Sequence, residues 1–334
     1  MKRAFRVAVL PLCLLLLAAC SSAPQDVHES RFIMGTLVQF TISGVQQDKA
    51  LEAIHAASDE MQRIEDVFTI YGTHANAVKA FNDSEPGTVM ALPAEVDRLL
   101  RTSLDVSQQS GGAFDPAIGS LSLLWGFSLP EPPKAPPSAA DIAAARSGVD
   151  SRLLERTNAG WKRLSRQTKL DFGGIAKGYA IDRGIAVLRA HGIANAILDA
   201  GGDLRAIGDH AGRPWRIGLR HPRKQGGTLG WFETKGDVSI VTSGDYERFF
   251  VYRGERYQHI LDPHTGLPAG RSMSTTVVAH NATLADAWST ALFVLGSRGL
   301  PLLEARGMQG LQVDADGRMH ATKLTILPFH PTAQ

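Results

Sequence analysis

Apolar positions along the chain change period several times, and each change marks an element. Residues 34–42 (MGTLVQFTI) alternate and are rich in β-branched side chains, which predicts a strand. From Asp48 to Phe68 the apolar residues return at helical spacing, at Leu51, Ile54, Ala57, Met61, Ile64 and Phe68. A second helix is predicted after Pro93, with Val96, Leu99, Leu100 and Leu104 on one stripe. Residues 129–138 (LPEPPKAPPS) contain five prolines, and a segment so short of N–H donors predicts an exposed loop or insertion. Beyond it, strands and helices alternate. Strands are predicted over 163–172, 196–200, 215–220, 239–242 and 274–279, and helices over 176–191 and 284–296. No internal repeat is present. The pattern predicts an α+β (mixed α/β) fold in one compact domain over residues 31–330.

The first thirty residues follow a different logic. Lys2, Arg3 and Arg6 precede an uncharged apolar run from Val7 to Ala19, which is too short to cross the roughly 30 Å hydrocarbon core of a bilayer as a helix. An export signal is expected over residues 1–19. Leu17-Ala18-Ala19-Cys20 resembles a bacterial lipobox, which implies lipidation of Cys20 and cleavage before it. Residues 20–30 are then expected to be a polar tether, with the protein held on a membrane and facing the periplasm. Ser21 lacks the aspartate that retains many lipoproteins in the inner membrane, which leans towards the outer one.

Charge and cysteine content fit that destination. The chain has 35 basic and 33 acidic residues, of which residues 1–19 remove three basic ones, leaving 32 against 33 and a formal net charge of −1. No basic stretch points to nucleic acid. Cys13 and Cys20 are the only cysteines, so the body of the mature protein has no disulfide to rely on and must be stabilised by its core.

Three stretches carry candidate chemistry. In Asp171-Phe-Gly-Gly-Ile-Ala-Lys177-Gly178, an acidic residue and two glycines lead into a helix, whose free N–H groups and dipole suit a phosphate, with Lys177 adding charge. A tight structural turn with a solvated lysine is the alternative, and neither common nucleotide fingerprint matches. In Asp286-Ala-Trp-Ser289-Thr290, residues four apart share a helix face, so a carboxylate and a hydroxyl can serve one Mg²⁺. An acidic first turn with a packed threonine would leave the same trace. In Tyr257-Gln-His259-Ile-Leu-Asp262-Pro-His264-Thr-Gly266, a β-like run ends in a turn, and His259 could accept a proton near neutral pH or could be structural. The His259–His264 spacing on a strand and turn argues against zinc, and the absence of GxSxG argues against a serine hydrolase.

Seven motifs in order resemble the ApbE family of FAD:protein FMN transferase lipoproteins. They are Met34-Gly-Thr36, Gly112-Ala-Phe-Asp115-Pro, the Asp171–Gly178 turn, Asp199-Ala-Gly-Gly-Asp203, Thr242-Ser-Gly-Asp-Tyr246, His259-Ile-Leu-Asp-Pro263 and Ala285-Asp-Ala-Trp-Ser-Thr290. The resemblance spans about Phe32 to Leu300 and implies a domain with an FAD cleft between two lobes. It implies that FMN is transferred from FAD to a threonine or serine of another protein, with Mg²⁺ and release of AMP. Met34, Tyr71, Ala113, Phe114, Asp115, Asp171, Lys177 and the backbone at Ile260 would line the FAD site. Asp286, Thr290, Ser289 and the carbonyl near Gly174 would hold the metal, and His259 would be the general base. The acceptor would be a subunit of a respiratory or ion-pumping membrane complex. An FAD pyrophosphatase and a non-catalytic flavin-binding lipoprotein are the alternative readings.

Overall fold

A computed structural model describes residues 26–332. Cys20 and the expected export signal lie outside the described residues. The centre is an eight-stranded sheet in the order β1-β2-β5-β6-β9-β12-β13-β14, with every neighbouring pair antiparallel. Its strands are β1 (Val27–Ile33), β2 (Thr36–Ile42), β5 (Ala196–Ala200), β6 (Asp203–Ile207), β9 (Val238–Gly244), β12 (Ser272–Ala279), β13 (Gln309–Asp314) and β14 (Met319–Ala321).

One face of this sheet carries α1 (Gln47–Phe68), α6 (Ala176–Ala190) and α7 (Ala282–Leu295). α1 offers a stripe of Ala50, Ala53, Ile54, Ala57, Met61, Ile64 and Phe68, all buried, while its other side stays polar. α7 is different. It is buried on almost every side, including Asp286 and Ser289, because α6 and strands β9 and β12 surround it. Its entry is capped twice. Asn281 accepts from the N–H of Leu284, and Asp182 of α6 accepts from the N–H groups of Ala282 and Thr283 at 2.9 Å.

The opposite face is covered by a three-stranded sheet of β7 (Trp215–Arg220), β8 (Thr228–Thr234) and β15 (Phe329–Pro331). Its Trp215, Ile217, Leu219 and Phe232 pack on Leu204, Ile240 and Val278 of the central sheet. Beside the helix layer stands a lobe of α2 (Ala77–Asp83), α3 (Ala94–Gln109), α4 (Gly119–Trp125), α5 (Ala139–Arg146) and the β3–β4 hairpin (Leu154–Thr157, Gly160–Arg163). The last helix, α8 (Leu300–Glu304), lies between α7 and β13 in the chain. The remaining hairpin, β10 (Phe249–Tyr252) with β11 (Glu255–Gln258), forms a sheet of its own.

Three expectations need correction. The strand expected over 163–172 is absent: Arg163 closes the β3–β4 hairpin, residues 164–167 turn, and residues 168–171 run irregularly with a single bridge from Lys169 to Ile118, while the buried Arg163 guanidinium donates to the carbonyls of Arg166 and Thr168. The strand expected from Met34 begins at Thr36, because Met34 and Gly35 form the turn of the β1–β2 hairpin with φ of 56° and 68°. A two-residue turn with both φ positive matches the twist of the strands it joins. The polar stretch expected to act as a tether as far as Ser30 is already strand from Val27 onward. The proline-rich segment 129–138 is a loop, as expected, and Ser138 ends it by capping α5.

Candidate active site

A cavity of about 470 Å³ opens between the helix layer and the α4–α5 lobe. Its walls bring together distant parts of the chain: the β1–β2 turn, the end of α1, residues 113–115, the entry of α6, the end of β9, and Asp286 and Thr290 of α7. A concave site of this size, with polar groups converging on it, is what a nucleotide-sized ligand requires.

The floor is the turn into α6. Asp171 accepts the N–H of Gly173 at 2.8 Å, and burial raises its carboxyl pKa despite Ser122 and Arg248 nearby. Gly174 has no room for a side chain. A Cβ there would meet Phe114 Cε2 and Thr290 Oγ1 at 3.2 Å each, so glycine lets the backbone approach the Thr290 hydroxyl. The N–H of Gly178, in the first turn of α6, donates to Asp286 Oδ2 at 2.8 Å, placing that carboxylate at the positive end of the helix.

Lys177 does not project freely towards a nucleotide. Its Nζ lies 2.7 Å from Asp203 Oδ2, although the side chain also borders the cavity. Burial alone would depress its pKa, but Asp203 and Asp286 outweigh that effect and raise it. Asp203 is itself fixed by the N–H of Thr242 at 2.9 Å. Asp286 is pushed well above the ordinary carboxylate range by burial and by the charge of Asp203, which Lys177 only partly offsets. Two buried carboxylates thus share one lysine, and the cluster has capacity for a further cation.

Among the described residues no group of three or more His, Cys, Asp or Glu converges as a metal cage. Mg²⁺ does not need one, since it is commonly held by one or two carboxylates, waters and substrate phosphates. Asp286, Thr290 and the Gly174 backbone fit that donor set. Ser289 does not join them. It is fully buried, bonds Ser243 Oγ at 2.7 Å and the carbonyl of Asp286 at 2.9 Å, and lies outside the cavity lining. Its place one step around the helix from Thr290 turns it towards β9.

His259, immediately after β11, also borders the cavity. Its N–H donates to the carbonyl of Arg248 at 3.1 Å, and its ring Nδ1 is buried with no partner among the described residues. Burial, then the charges of Arg248 and Lys177, push its pKa down to about 3, so the ring is neutral across the physiological range. His264 lies apart, exposed, against the carbonyl of Gly111 and the Asp262 carboxylate. Gly266 closes that turn at a φ of 75°.

The remaining expected residues line the cavity in different capacities. Met34, Tyr71, Ala113, Phe114 and Asp115 all border it. The Met34 N–H is held by Glu65 Oε2 at 2.7 Å, and the Tyr71 hydroxyl donates to the Ser122 carbonyl at 3.2 Å. Asp115 accepts the N–H groups of Ala117 and Ser151, while burial pushes its pKa up to about 6. Its carboxylate therefore shapes the loop. Ile260 borders the cavity too, but its backbone is committed: the N–H donates to Gln258 Oε1, and the carbonyl accepts from Ala269 N–H and Gln258 Nε2. The expected backbone contact from Ile260 to a nucleotide is thus already taken.

Sequence reasoning missed Arg248 and Glu65. Arg248 borders the cavity, donates to Ser128 Oγ at 2.7 Å and faces the β1–β2 turn. Its only signal was a position two residues beyond the Thr242–Tyr246 motif.

A family model described as the ApbE family matches residues 34–313. The chain belongs to the ApbE family. It is similar to the FAD:protein FMN transferase of Treponema pallidum, with 31% identity over 95% of this chain and 93% of that protein. The Vibrio cholerae FAD:protein FMN transferase is 30% identical, with 95% and 96% covered. A Rhodobacter capsulatus FAD:protein FMN transferase is 33% identical over 89% of this chain, which spans only 57% of that longer protein. Among solved structures, the ApbE protein of Thermotoga maritima superposes with a TM-score of 0.81 at 33% identity, covering 90% of this chain and 97% of that one. Flavin transferase ApbE of Vibrio cholerae superposes at 0.78 with 27% identity, covering 90% and 97%. In ApbE terms, the cavity built above is the part of the fold where the separated sequence motifs meet.

Proposed function

We propose that this chain is an FAD:protein FMN transferase, which moves the FMN half of FAD onto a threonine or serine hydroxyl of a flavoprotein and releases AMP. The ApbE relatives of the same name support the activity. The observation that carries the reading is that the Asp286–Thr290–Gly174 donor set and a neutral His259 ring border one cavity.

The residues divide the work. Asp286 and Thr290, with the backbone at Gly174, would hold Mg²⁺, which when bound supplies charge neutralisation for a diphosphate. Arg248 and Lys177 offer further positive charge to the same groups. His259 takes the proton of the acceptor hydroxyl as its oxygen bonds to the FMN phosphorus and the anhydride bond to AMP breaks. Phosphate charge entering beside Arg248 and Lys177 offsets the cations that depress the imidazole, so its basicity rises when substrate is bound.

The same reading places the enzyme at a membrane. The tripartite leader and Cys20 support a lipid anchor and a periplasmic site. β1 starts seven residues beyond Cys20, and an extended chain of that length spans at most about 25 Å, so the catalytic domain would stay close to the bilayer. A subunit of a respiratory or ion-pumping complex is the acceptor class that fits this position.

The test is incubation of the protein with FAD, Mg²⁺ and a candidate acceptor. AMP in equal amount to covalent FMN on the acceptor is expected. AMP with only free FMN would mark a pyrophosphatase, and intact FAD would mark a binding protein.

A further inference from the structure

The β10–β11 hairpin has a position that the chemistry inside the cavity does not use. Its two legs leave from Arg248 and His259, which both line the cavity and are joined by the His259 N–H to Arg248 carbonyl bond. It turns back at Arg253-Gly254, with φ of 51° and 82°, and among the described residues it pairs with no other strand, so both its outer edges are open there. Four residues of strand give each leg a length of about 13 Å.

Alternate side chains split its two faces. Phe250 stacks on Phe127 and Tyr257 on Trp125, with ring centroids 5.5 and 5.9 Å apart, and Phe250 also leans on Trp125 at 6.5 Å, which anchors the hairpin to the α4–α5 lobe. The other face bears Phe249, 41% exposed, and Val251, 58% exposed. Arg256 lies over the Phe249 ring at 3.9 Å, and Arg253 stands at the turn. Among the described residues neither arginine has a carboxylate partner. A rigidly anchored hairpin with free edges, two exposed apolar side chains and two unpaired cations is poorly explained as packing. Exposed edges of this kind are ordinarily blunted or covered.

We propose that this hairpin docks the acceptor protein, receiving the extended segment that carries the hydroxyl as an added strand. The segment would place apolar side chains against Phe249 and Val251 and an acidic side chain near Arg253 or Arg256. Its main chain would run along the hairpin edge, which ends at His259, so docking and delivery of the hydroxyl share one track. The inference rests on the transferase reading and names the surface that reading requires. None of the four residues lines the cavity, so the surface and the FAD site are separable.

The experiment uses full-length protein in detergent with FAD and Mg²⁺. The acceptor is the extracytoplasmic protein that the wild type labels with FMN, purified unlabelled. Phe249→Ser, Val251→Asp and Arg256→Glu are each compared with wild type for acceptor KM, FAD affinity and Tm. The expected result is an acceptor KM raised about tenfold or more, with FAD affinity unchanged. Should Val251→Asp unfold, the polar replacement at Phe249 and the charge reversal at Arg256 still decide the matter. Unchanged acceptor KM in folded variants would overturn the docking surface while leaving the transferase intact. A wild type that labels no protein would instead overturn the transferase reading and the docking surface with it.

Discussion

At the scale of single residues, the site is a set of buried charges whose balance awaits substrate. His259 is neutral because burial and two cations make protonation costly. Its loss should therefore remove a proton acceptor without altering charge in the FAD cavity. His259→Ala is expected to keep FAD affinity, measured by fluorescence titration, while acceptor labelling falls about 10²–10⁴-fold. Undiminished labelling would remove the base role. Asp286 is the opposite case: burial and Asp203 hold its proton to a higher pH than an ordinary aspartate. Because a cation must displace that proton, the Mg²⁺ concentration giving half-maximal AMP release is expected to rise as pH falls from 8 to 6. A requirement that stays flat over this range would contradict the assignment of Asp286 to the metal. Legibility at this scale was uneven for a physical reason. The i,i+4 relation of Asp286 and Thr290 is intrinsic to a helix and could be read directly. Whether Ser289 or Ile260 already has hydrogen-bond partners depends on β9 and on Gln258, which the local sequence does not reveal.

At the scale of elements, the site depends on how closely α6 and α7 approach. Gly178 is where they meet. A Cβ there would lie 2.1 Å from the Ala282 carbonyl oxygen and 2.7 Å from Asp286 Cβ, and the first of these is backbone that cannot rotate away. Gly178→Ala is therefore expected to push the helices apart, costing about 1–3 kcal/mol of stability and displacing Asp286 from the metal position. Thermal unfolding and AMP release should fall together. A variant with wild-type Tm and activity would show that the helix pair tolerates the extra volume. The helices were readable from periodicity: α1, α6 and α7 begin and end within about two residues of where the apolar stripes place them, and α3 begins directly after Pro93 but runs five residues past the last stripe position, Leu104. The strand expected over 163–172 failed because Leu170 and Phe172 are buried in irregular chain while Leu164 is exposed, and periodicity cannot distinguish such a stretch from a short strand. β1 was missed because its exposed edge gives an outward face rich in charge and a polar burial pattern.

At the scale of the whole molecule, two functions are expected to separate: catalysis in the described domain and placement through the leader. A chain lacking residues 1–25 is expected to keep the Tm and FAD affinity of the full protein, since the sheet begins at Val27. Replacing residues 1–20 with a cleavable export signal that carries no lipidated cysteine should shift the protein from the membrane to the soluble fraction on cell fractionation, without loss of specific activity; continued membrane attachment would argue against the lipid anchor. The overall class, a mixed α/β domain, followed from alternating periods. The meeting of seven separated motifs in one cavity did not, because it depends on the order of strands in the central sheet. Antiparallel pairing of β2 with β5 and of β6 with β9 brings residues 36, 201, 203 and 242 to one end.

The central claim is that this cavity transfers FMN to a protein hydroxyl, and intact-mass measurement of an acceptor tests it most directly. After incubation with FAD and Mg²⁺, the account predicts an acceptor heavier by one FMN less one water, located on a single threonine or serine. AMP should appear in equal amount, and the His259→Ala protein should leave the acceptor mass unchanged. An acceptor of unaltered mass beside free FMN and AMP would contradict transfer and leave hydrolysis as the activity of the site.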